Sequence, residues 1–220
     1  MSIPLVFDDL GDCFSNVSCL NDQVFFFPGE KIKTRRTIKR LFGVERNVSE
    51  YYGLTGALGQ TQLFIGVWEK ALYLEYYEHE VFGLTGSCLL SRKQDRLVLV
   101  NRNCRILAPQ MRQRGIGFLW FFRQKAACEL LGIDKIVAFA ARSTESCGYY
   151  ALPRYGFNAV IPREIRSKLP KNLRSCRTVL NLFETPMGRH WWQQNGISLE
   201  VVFDLSANSP SQKAFAAYRD

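Results

Sequence analysis

Leu107-Ala108-Pro109-Gln110-Met111-Arg112-Gln113-Arg114-Gly115-Ile116-Gly117 lies between two patterned segments. Before it, Arg105-Ile106-Leu107 closes a strand-like run. After it, Gly117 to Leu131 carries Phe118, Phe121, Phe122, Ala126 and Leu130 at helical spacing, with Gly132 as the stop. Lys135 to Ala140 then reads as a buried strand. This strand–turn–helix–strand order, Arg105 to Ala140, predicts a parallel pair joined by a right-handed crossover.

The turn has chemistry of its own. Its glycines remove side chains where a ligand must approach the backbone. A helix start offers unpaired N–H groups and the positive end of the dipole. Together they make a cradle for pyrophosphate, and Arg112 and Arg114 add charge that reaches phosphate oxygens. The stretch lacks the Gly-Lys-Ser/Thr ending of a P-loop. It also lacks the third glycine of a dinucleotide fingerprint, since Trp120 stands there, and no acidic ribose ligand ends the next strand.

Toward the N-terminus, residues 1–23 are turn-rich, and Val24-Phe25-Phe26-Phe27 reads as a strand stopped by Pro28-Gly29. Glu30 to Phe42 predicts a basic amphipathic helix with Ile32, Ile38, Leu41 and Phe42 on its apolar side. A second helix spans Val48 to Tyr52, and Gly53, Gly56 and Gly59 break the pattern after it. Four runs rich in aromatic and branched residues read as strands: Gln62–Trp68, Ala71–Tyr77, Ser87–Leu90 and Arg96–Val100, the last two joined by a polar turn at Arg92–Asp95. Toward the C-terminus, a short helix from Ser146 to Leu152 ends at Pro153. Thr178–Phe183 and Ile197–Leu205 read as strands separated by Gly188–Gly196 with Trp191-Trp192, and Ser211–Tyr218 as a short helix. The fold class expected is α/β (α+β): a mixed, mostly antiparallel sheet with one β-α-β unit and a C-terminal extension. Residues 1–60 supply an N-terminal strand and helices, 61–160 the core, and 161–220 a basic segment and strands that complete or extend the sheet.

Composition narrows the function classes. The chain has 220 residues, 47% of them apolar, and a net charge of +9, with Lys and Arg clustered at 31–40, 92–105 and 163–177. A globular protein with affinity for polyanions is expected. A phosphate-bearing coenzyme is one polyanion, and the charge also admits a nucleic acid. No apolar run approaches the roughly 20 residues that cross a bilayer. The start lacks a signal-peptide pattern, so a cytoplasmic location is expected and no membrane. An odd set of seven cysteines without C-x-x-C spacing, and two distant histidines, speaks against a metal site. It also leaves no Ser/His/Asp arrangement.

Strand, Leu-x-Pro-x-x-Arg-x-x-Gly-x-Gly, helix, strand, short helix and then Tyr155-Gly156-Phe157 resembles the GNAT superfamily of acetyl-coenzyme A-dependent N-acetyltransferases. Arg112-x-x-Gly115-x-Gly117 fits that family's central motif, and the resemblance covers about residues 60–160. Val201-Val202-Phe203-Asp204-Leu205-Ser206 with Ser209-Pro210-Ser211 looks like the tail of uncharacterised bacterial members. The resemblance implies that backbone N–H groups of Gln113, Arg114, Gly115, Ile116 and Gly117 hold the pyrophosphate of acetyl-CoA. It implies that the backbone at Leu107 binds the pantetheine arm and polarises the thioester carbonyl. The arm would lie where the strands bearing Leu107 and Ala138 splay apart, and an amine acceptor would attack the thioester directly.

One position departs from the family. The tyrosine that protonates the leaving thiolate in many members is Leu152 here. Tyr149 and Tyr150 lie just upstream and either one can take its place, Tyr150 being slightly favoured. A phenol with an ordinary pKa near 10 suits an acid facing a thiolate. For the base, Glu75, Glu78, His79 and Glu80 sit on or after a strand that the family places near the acceptor. The activity implied is N-acetyl transfer to an unidentified amine, with an acidic acceptor such as tRNA or an acidic protein suiting the charge. The alternative, motivated by Leu152, is a non-catalytic coenzyme A-binding or interaction module of the same fold. Trp191-Trp192 and the basic stretch Arg163–Arg177 either stack bases or anchor a subdomain.

Overall fold

The computed structural model describes residues 24–27, 29–44, 46, 48–58, 61–78, 83–107, 115–144 and 146–219. In chain order these form β1 (Val24–Phe26), α1 (Lys31–Phe42), α2 (Val48–Thr55), β2 (Gln62–Trp68), β3 (Ala71–Glu78), β4 (Leu84–Lys93) and β5 (Arg96–Ile106). There follow α3 (Ile116–Leu130), β6 (Lys135–Ala140), α4 (Gly148–Arg154), α5 (Arg163–Arg166), a 3-10 turn at Lys171–Leu173, α6 (Val179–Phe183), α7 (Pro186–Asn195), β7 (Leu199–Asp204) and α8 (Pro210–Arg219). The strands form a seven-stranded sheet in chain order. β1–β2 and β5–β6 are parallel, while β2–β3, β3–β4 and β6–β7 are antiparallel. The mixed, mostly antiparallel sheet with a β-α-β unit is the fold class expected. Packing divides the chain into two compact units, Met1–Leu97 with Arg102–Gly132, and Val98–Asn101 with Ile133–Asp220.

In the first unit, β3 alternates: Leu72, Leu74, Tyr76 and Glu78 are buried, while Tyr73, Glu75 and Tyr77 stand half-exposed on the opposite face. The polar turn before β5 places Gln94 and Asp95 at φ 48° and 62°, the pair of positive values that suits a tight hairpin. α2 runs through Gly53 instead of stopping there, because that glycine lets α3 come close: a Cβ on Gly53 would lie 2.7 Å from the Ala127 Cβ. The α2–α3 contact is fixed by two side chains from α3. Trp120 Nε1 donates to the Thr55 carbonyl at 2.7 Å and Gln124 Nε2 to the Leu54 carbonyl at 2.8 Å, capping orphan carbonyls of the α2 end. The buried stripe of α3 is therefore Phe118, Trp120, Phe121, Gln124 and Cys128, with a polar residue inside it. Ala126 and Leu130, expected inside, face solvent, Leu130 at 79% exposure. In α1, Ile38 and Leu41 are buried as expected, but Ile32 is 68% exposed because the buried stripe is Thr34, Thr37, Ile38 and Leu41 at i, i+3, i+4 and i+7, and Ile32 lies off it.

The sequence pattern splits β5 into two strands at Asn101-Arg102-Asn103. The structure joins them, since a polar interruption does not end a strand whose ladder continues. In the second unit, four residues of β5, Val98 to Asn101, pair with Lys135 to Ala138 of β6, and the ladder stops there while both strands run on. Thr178–Phe183, expected as a strand, is helix α6. Thr178 and Asn181 form a reciprocal capping box at its start, and Val179, Leu180, Leu182 and Phe183 are all buried. A short apolar run such as this one, broken only by Asn181, does not distinguish helix from strand. Gly188–Gly196 is largely helix α7, capped by Thr185 with Pro186 in its first turn. Ile161, Ile165, Leu169, Leu173, Leu182 and Trp192 form the core of this unit.

α4 also departs from expectation, because Pro153 lies inside it rather than after it. Proline has no N–H for the carbonyl four residues back. That carbonyl belongs to Tyr149, and the buried Trp192 indole donates to it at 2.9 Å. The next residues form the closing Tyr155-Gly156-Phe157: Gly156 adopts φ 95°, and Phe157 is fully buried edge-on to Phe203. The tail helix α8 agrees with the expected Ser211–Tyr218, with Ser209 accepting from the Gln212 N–H at its start.

Candidate functional site

The glycine turn enters α3 in the first unit. Gly115 is the N-cap residue, with φ 78°, a left-handed conformation that favours glycine. No side chain caps the helix and no acidic residue stands in its first turn. The Gly115 carbonyl accepts from Phe118 and Leu119 at 2.9 and 3.0 Å, whereas the N–H groups of Ile116 and Gly117 have no acceptor among the described residues. Among the described residues, a Cβ on Gly115 would meet nothing within 4 Å. Among the described residues, the helix start thus presents donors without acceptors and a positive dipole end, which suits an anion. These features fit the pyrophosphate of the expected coenzyme. At the other end of the turn, Leu107 is exposed and its N–H donates to the Gly83 carbonyl at 2.6 Å. Arg112, Gln113 and Arg114 lie outside the described residues, as do His79 and Glu80.

Glu75 belongs to the same unit, on the half-exposed face of β3. The Tyr77 hydroxyl donates to its carboxylate. That hydrogen bond holds the proton on Tyr77, pushing its pKa up to about 12, with burial and the Glu75 charge adding to it. Tyr73, on the other side of Glu75, is raised by burial first, and a hydrogen bond with Ser87 and the Arg102 charge pull the other way. Ser87 Oγ donates to Asn103 Oδ1 at 3.3 Å. Glu75 is thus a carboxylate oriented by one phenol and flanked by a second. Both partners lie two residues away on the strand, a period the sequence shows, yet residue type alone singles out only Glu75. Glu78, its neighbour on the buried face, is 1% exposed.

Tyr149 and Tyr150 belong to the second unit, on the first turn of α4, with ring centroids 6.4 Å apart. The Tyr149 hydroxyl donates to the Gln193 carbonyl at 2.7 Å, and the Arg142 guanidinium lies over its ring at 4.9 Å. Arg142 also donates to the carbonyls of Gln194 and Gly196. Tyr150 packs on Phe183 at 5.6 Å with Arg154 over its ring at 5.8 Å, and its hydroxyl has no hydrogen-bond partner among the described residues. Trp192 is buried in the core of this unit and Trp191, half-buried, packs against it, so the pair anchors the unit.

Five described cysteines are free thiols, Cys88 and Cys128 buried and Cys147 exposed. Among the described residues, no helix is long and apolar enough to cross a membrane. No protein-family model matches the chain, and no curated protein matches it. Among solved structures, Arabidopsis thaliana Naa50 in complex with bisubstrate analogue CoA-Ac-MVNAL is similar at 17% identity, over 60% of this chain and 78% of that one, with a TM-score of 0.33. A likeness that slight speaks to neither substrate nor chemistry.

Proposed function

We propose that this chain is an N-acetyltransferase that binds acetyl-coenzyme A at Arg112–Gly117 and passes the acetyl group to an amine by direct attack. The observation that carries the reading is the open, uncapped start of α3 at Gly115, preceded by β5 and followed by the parallel β6. The coenzyme supplies an activated acetyl thioester. The free N–H groups of Ile116 and Gly117 bind its pyrophosphate, with Arg112 and Arg114 adding charge. Leu107 offers its carbonyl to the pantetheine arm. Its N–H is engaged by Gly83, so an oxyanion-type role requires that bond to open.

Glu75 accepts the proton that the amine nitrogen releases as the new C–N bond forms, directly or through water. Tyr77 holds the carboxylate in place. As the C–S bond breaks, a tyrosine gives its proton to the sulfur. Tyr150 is favoured for this, since its hydroxyl is uncommitted while that of Tyr149 is bound to Gln193. A second reading, a coenzyme-binding module without turnover, is favoured by Leu152 at the usual tyrosine position and by the packing of both tyrosines against the core of their unit.

Isothermal titration with acetyl-CoA decides the first step. Saturable binding abolished by Gly115→Val is expected, and absence of heat at high micromolar ligand overturns the reading. In transfer assays over an amine panel, Tyr150→Phe is expected to lower kcat by roughly 100-fold or more, with Tyr149→Phe affecting it less. Full coenzyme affinity without turnover across the panel selects the second reading.

A further inference from the structure

We infer that Glu75, with the aromatic side chains around it on one face of the first unit's sheet, forms a binding site for an organic ammonium carried on an apolar stem. Naming that ammonium the acetyl acceptor rests on the acyl-transfer reading, whereas the site itself stands on the geometry of β1–β4.

Register puts Glu75 at the centre of this face. Directly opposite it stand Phe64 on β2 and Ser87 on β4, and Phe25 on β1 stands opposite Phe64. Tyr73 and Tyr77, two residues to either side of Glu75 on β3, share its face. The alternate positions Leu63, Ile65, Leu72, Leu74 and Tyr76 are buried on the other face. The rings form a connected set. Phe64 meets Tyr77 edge-on at 6.0 Å and stacks on Phe25 at 5.2 Å. Phe27 lies 6.0 Å from Phe64 and 5.8 Å from Tyr73. On the remaining side, Ser87 Oγ is turned to Asn103 Oδ1 at 3.3 Å.

The centre of the face is a carboxylate without a counter-ion. Glu75 makes no ion pair among the described residues. Tyr77 donates one of the roughly four hydrogen bonds that a carboxylate accepts. The surrounding rings displace water that would screen the charge, which strengthens its pull on a cation. Their π-faces add attraction for a cation within about 6 Å. Trp68, at the edge of the same face and 6.4 Å from Tyr73, already holds a cation in this way, with the Arg102 guanidinium 5.6 Å over its ring. From Glu75 the row through Phe64 to Phe25 crosses two strand spacings, about 10 Å. It ends at Phe25, 43% exposed, and contains no second acid.

The combination selects the ligand. An anion is repelled by Glu75, although the chain as a whole carries +9. A neutral apolar molecule strips water from the carboxylate and offers it no partner. A diamine sets its second charge against Phe25. A monoamine with an apolar stem satisfies the carboxylate with its ammonium and the Phe64–Phe25 row with its chain.

A ligand-observed NMR titration tests this with the full chain and no coenzyme. The probes are hexylammonium, hexamethylenediammonium, tetramethylammonium and hexanol. Hexylammonium is expected to saturate with Kd below about 1 mM, and each other probe to bind at least about fivefold more weakly. Glu75→Gln is expected to weaken hexylammonium about tenfold and to leave hexanol unchanged. Phe64→Leu is expected to weaken hexylammonium about threefold, and Phe64→Tyr, which keeps the ring, to bind as the unaltered chain does. Arg102→Gln, which removes a competing positive charge, is expected to tighten hexylammonium about twofold. Circular dichroism and Tm verify that each variant is folded. Equal affinity for hexanol overturns the site, as does an unchanged Kd in Glu75→Gln. Tighter binding of the diammonium overturns the apolar stem. Titration with acetyl-CoA separates the two readings. Coenzyme affinity without hexylammonium binding overturns the site and leaves acyl transfer standing. Hexylammonium binding without coenzyme affinity upholds the site and overturns its assignment to the acceptor.

Discussion

Tyr77 keeps its proton because Glu75 accepts the hydrogen bond that would be lost on ionisation, and its pKa rises to about 12. An unfolded tyrosine ionises near 10. The interaction therefore stabilises the folded chain fully below about pH 10 and is lost as pH climbs from there through 12. Absorbance titration of tyrosinate checks this. Tyr77→Phe is expected to remove one late-ionising phenol, and Glu75→Gln to move that step toward 10. An unchanged late step in both variants means that the carboxylate does not orient the phenol. The test bears on the proposed mechanism, in which the same hydrogen bond fixes the Glu75 oxygens for the amine. At this scale the sequence is only partly legible. Glu75 can be singled out from its strand, but its partners Tyr73 and Tyr77 emerge from face and period together. The choice between Tyr149 and Tyr150 depends on the Gln193 carbonyl, 44 residues away in sequence, which no local pattern reports.

Helix α4 is held by an element distant in sequence. Pro153 leaves the Tyr149 carbonyl without its helical donor, and the Trp192 indole of α7 supplies one at 2.9 Å. Trp192→Phe is expected to destabilise by about 2 to 4 kcal/mol, from lost volume and an orphaned buried carbonyl. In a Pro153→Ala background, the backbone N–H restored by the alanine reaches the same carbonyl, and the cost of Trp192→Phe is expected to fall by about 1 kcal/mol. A double-mutant cycle by urea unfolding measures that coupling, and strict additivity would refute the assignment. The same compensation explains why the sequence pattern ends this helix early: the local rule for proline takes no account of a distant donor. α6 escapes the pattern for a related reason. Its apolar run fits a strand, and the Thr178–Asn181 pair that caps it departs from the usual Glu or Gln partner. β2 and β3 are legible because runs rich in aromatic and branched residues match nearly their whole length.

Across the whole molecule, the coenzyme turn is readable because its proposed chemistry resides in backbone N–H groups, which glycine and a helix start announce directly. The charges of α1 stand out in the chain; of the pair Trp191-Trp192 that the sequence singles out, the fold buries Trp192 and half-buries Trp191, while it exposes Trp68 and Phe25. The charge balance has a consequence for stability as well. The chain carries +9. The ion pairs resolved among the described residues, Lys33–Glu30 at 3.4 Å, Arg46–Glu50 at 3.3 Å and Lys125–Glu129 at 2.7 Å, each join residues about one helical turn apart. Such pairs contribute little and are the first to be screened. Repulsion among the unpaired cations of α1 is screened by the same ions, and it involves more charges. Raising NaCl from about 20 to 300 mM, a span in which the Debye length falls severalfold, is therefore expected to raise Tm by a few degrees. Differential scanning fluorimetry reads the sign. A fall in Tm would mean that attraction outweighs repulsion in the native charge pattern. Arg35→Gln/Arg36→Gln/Lys39→Gln is expected to raise Tm at low salt and to reduce the salt response, since it removes cations that repel one another and pair with nothing among the described residues.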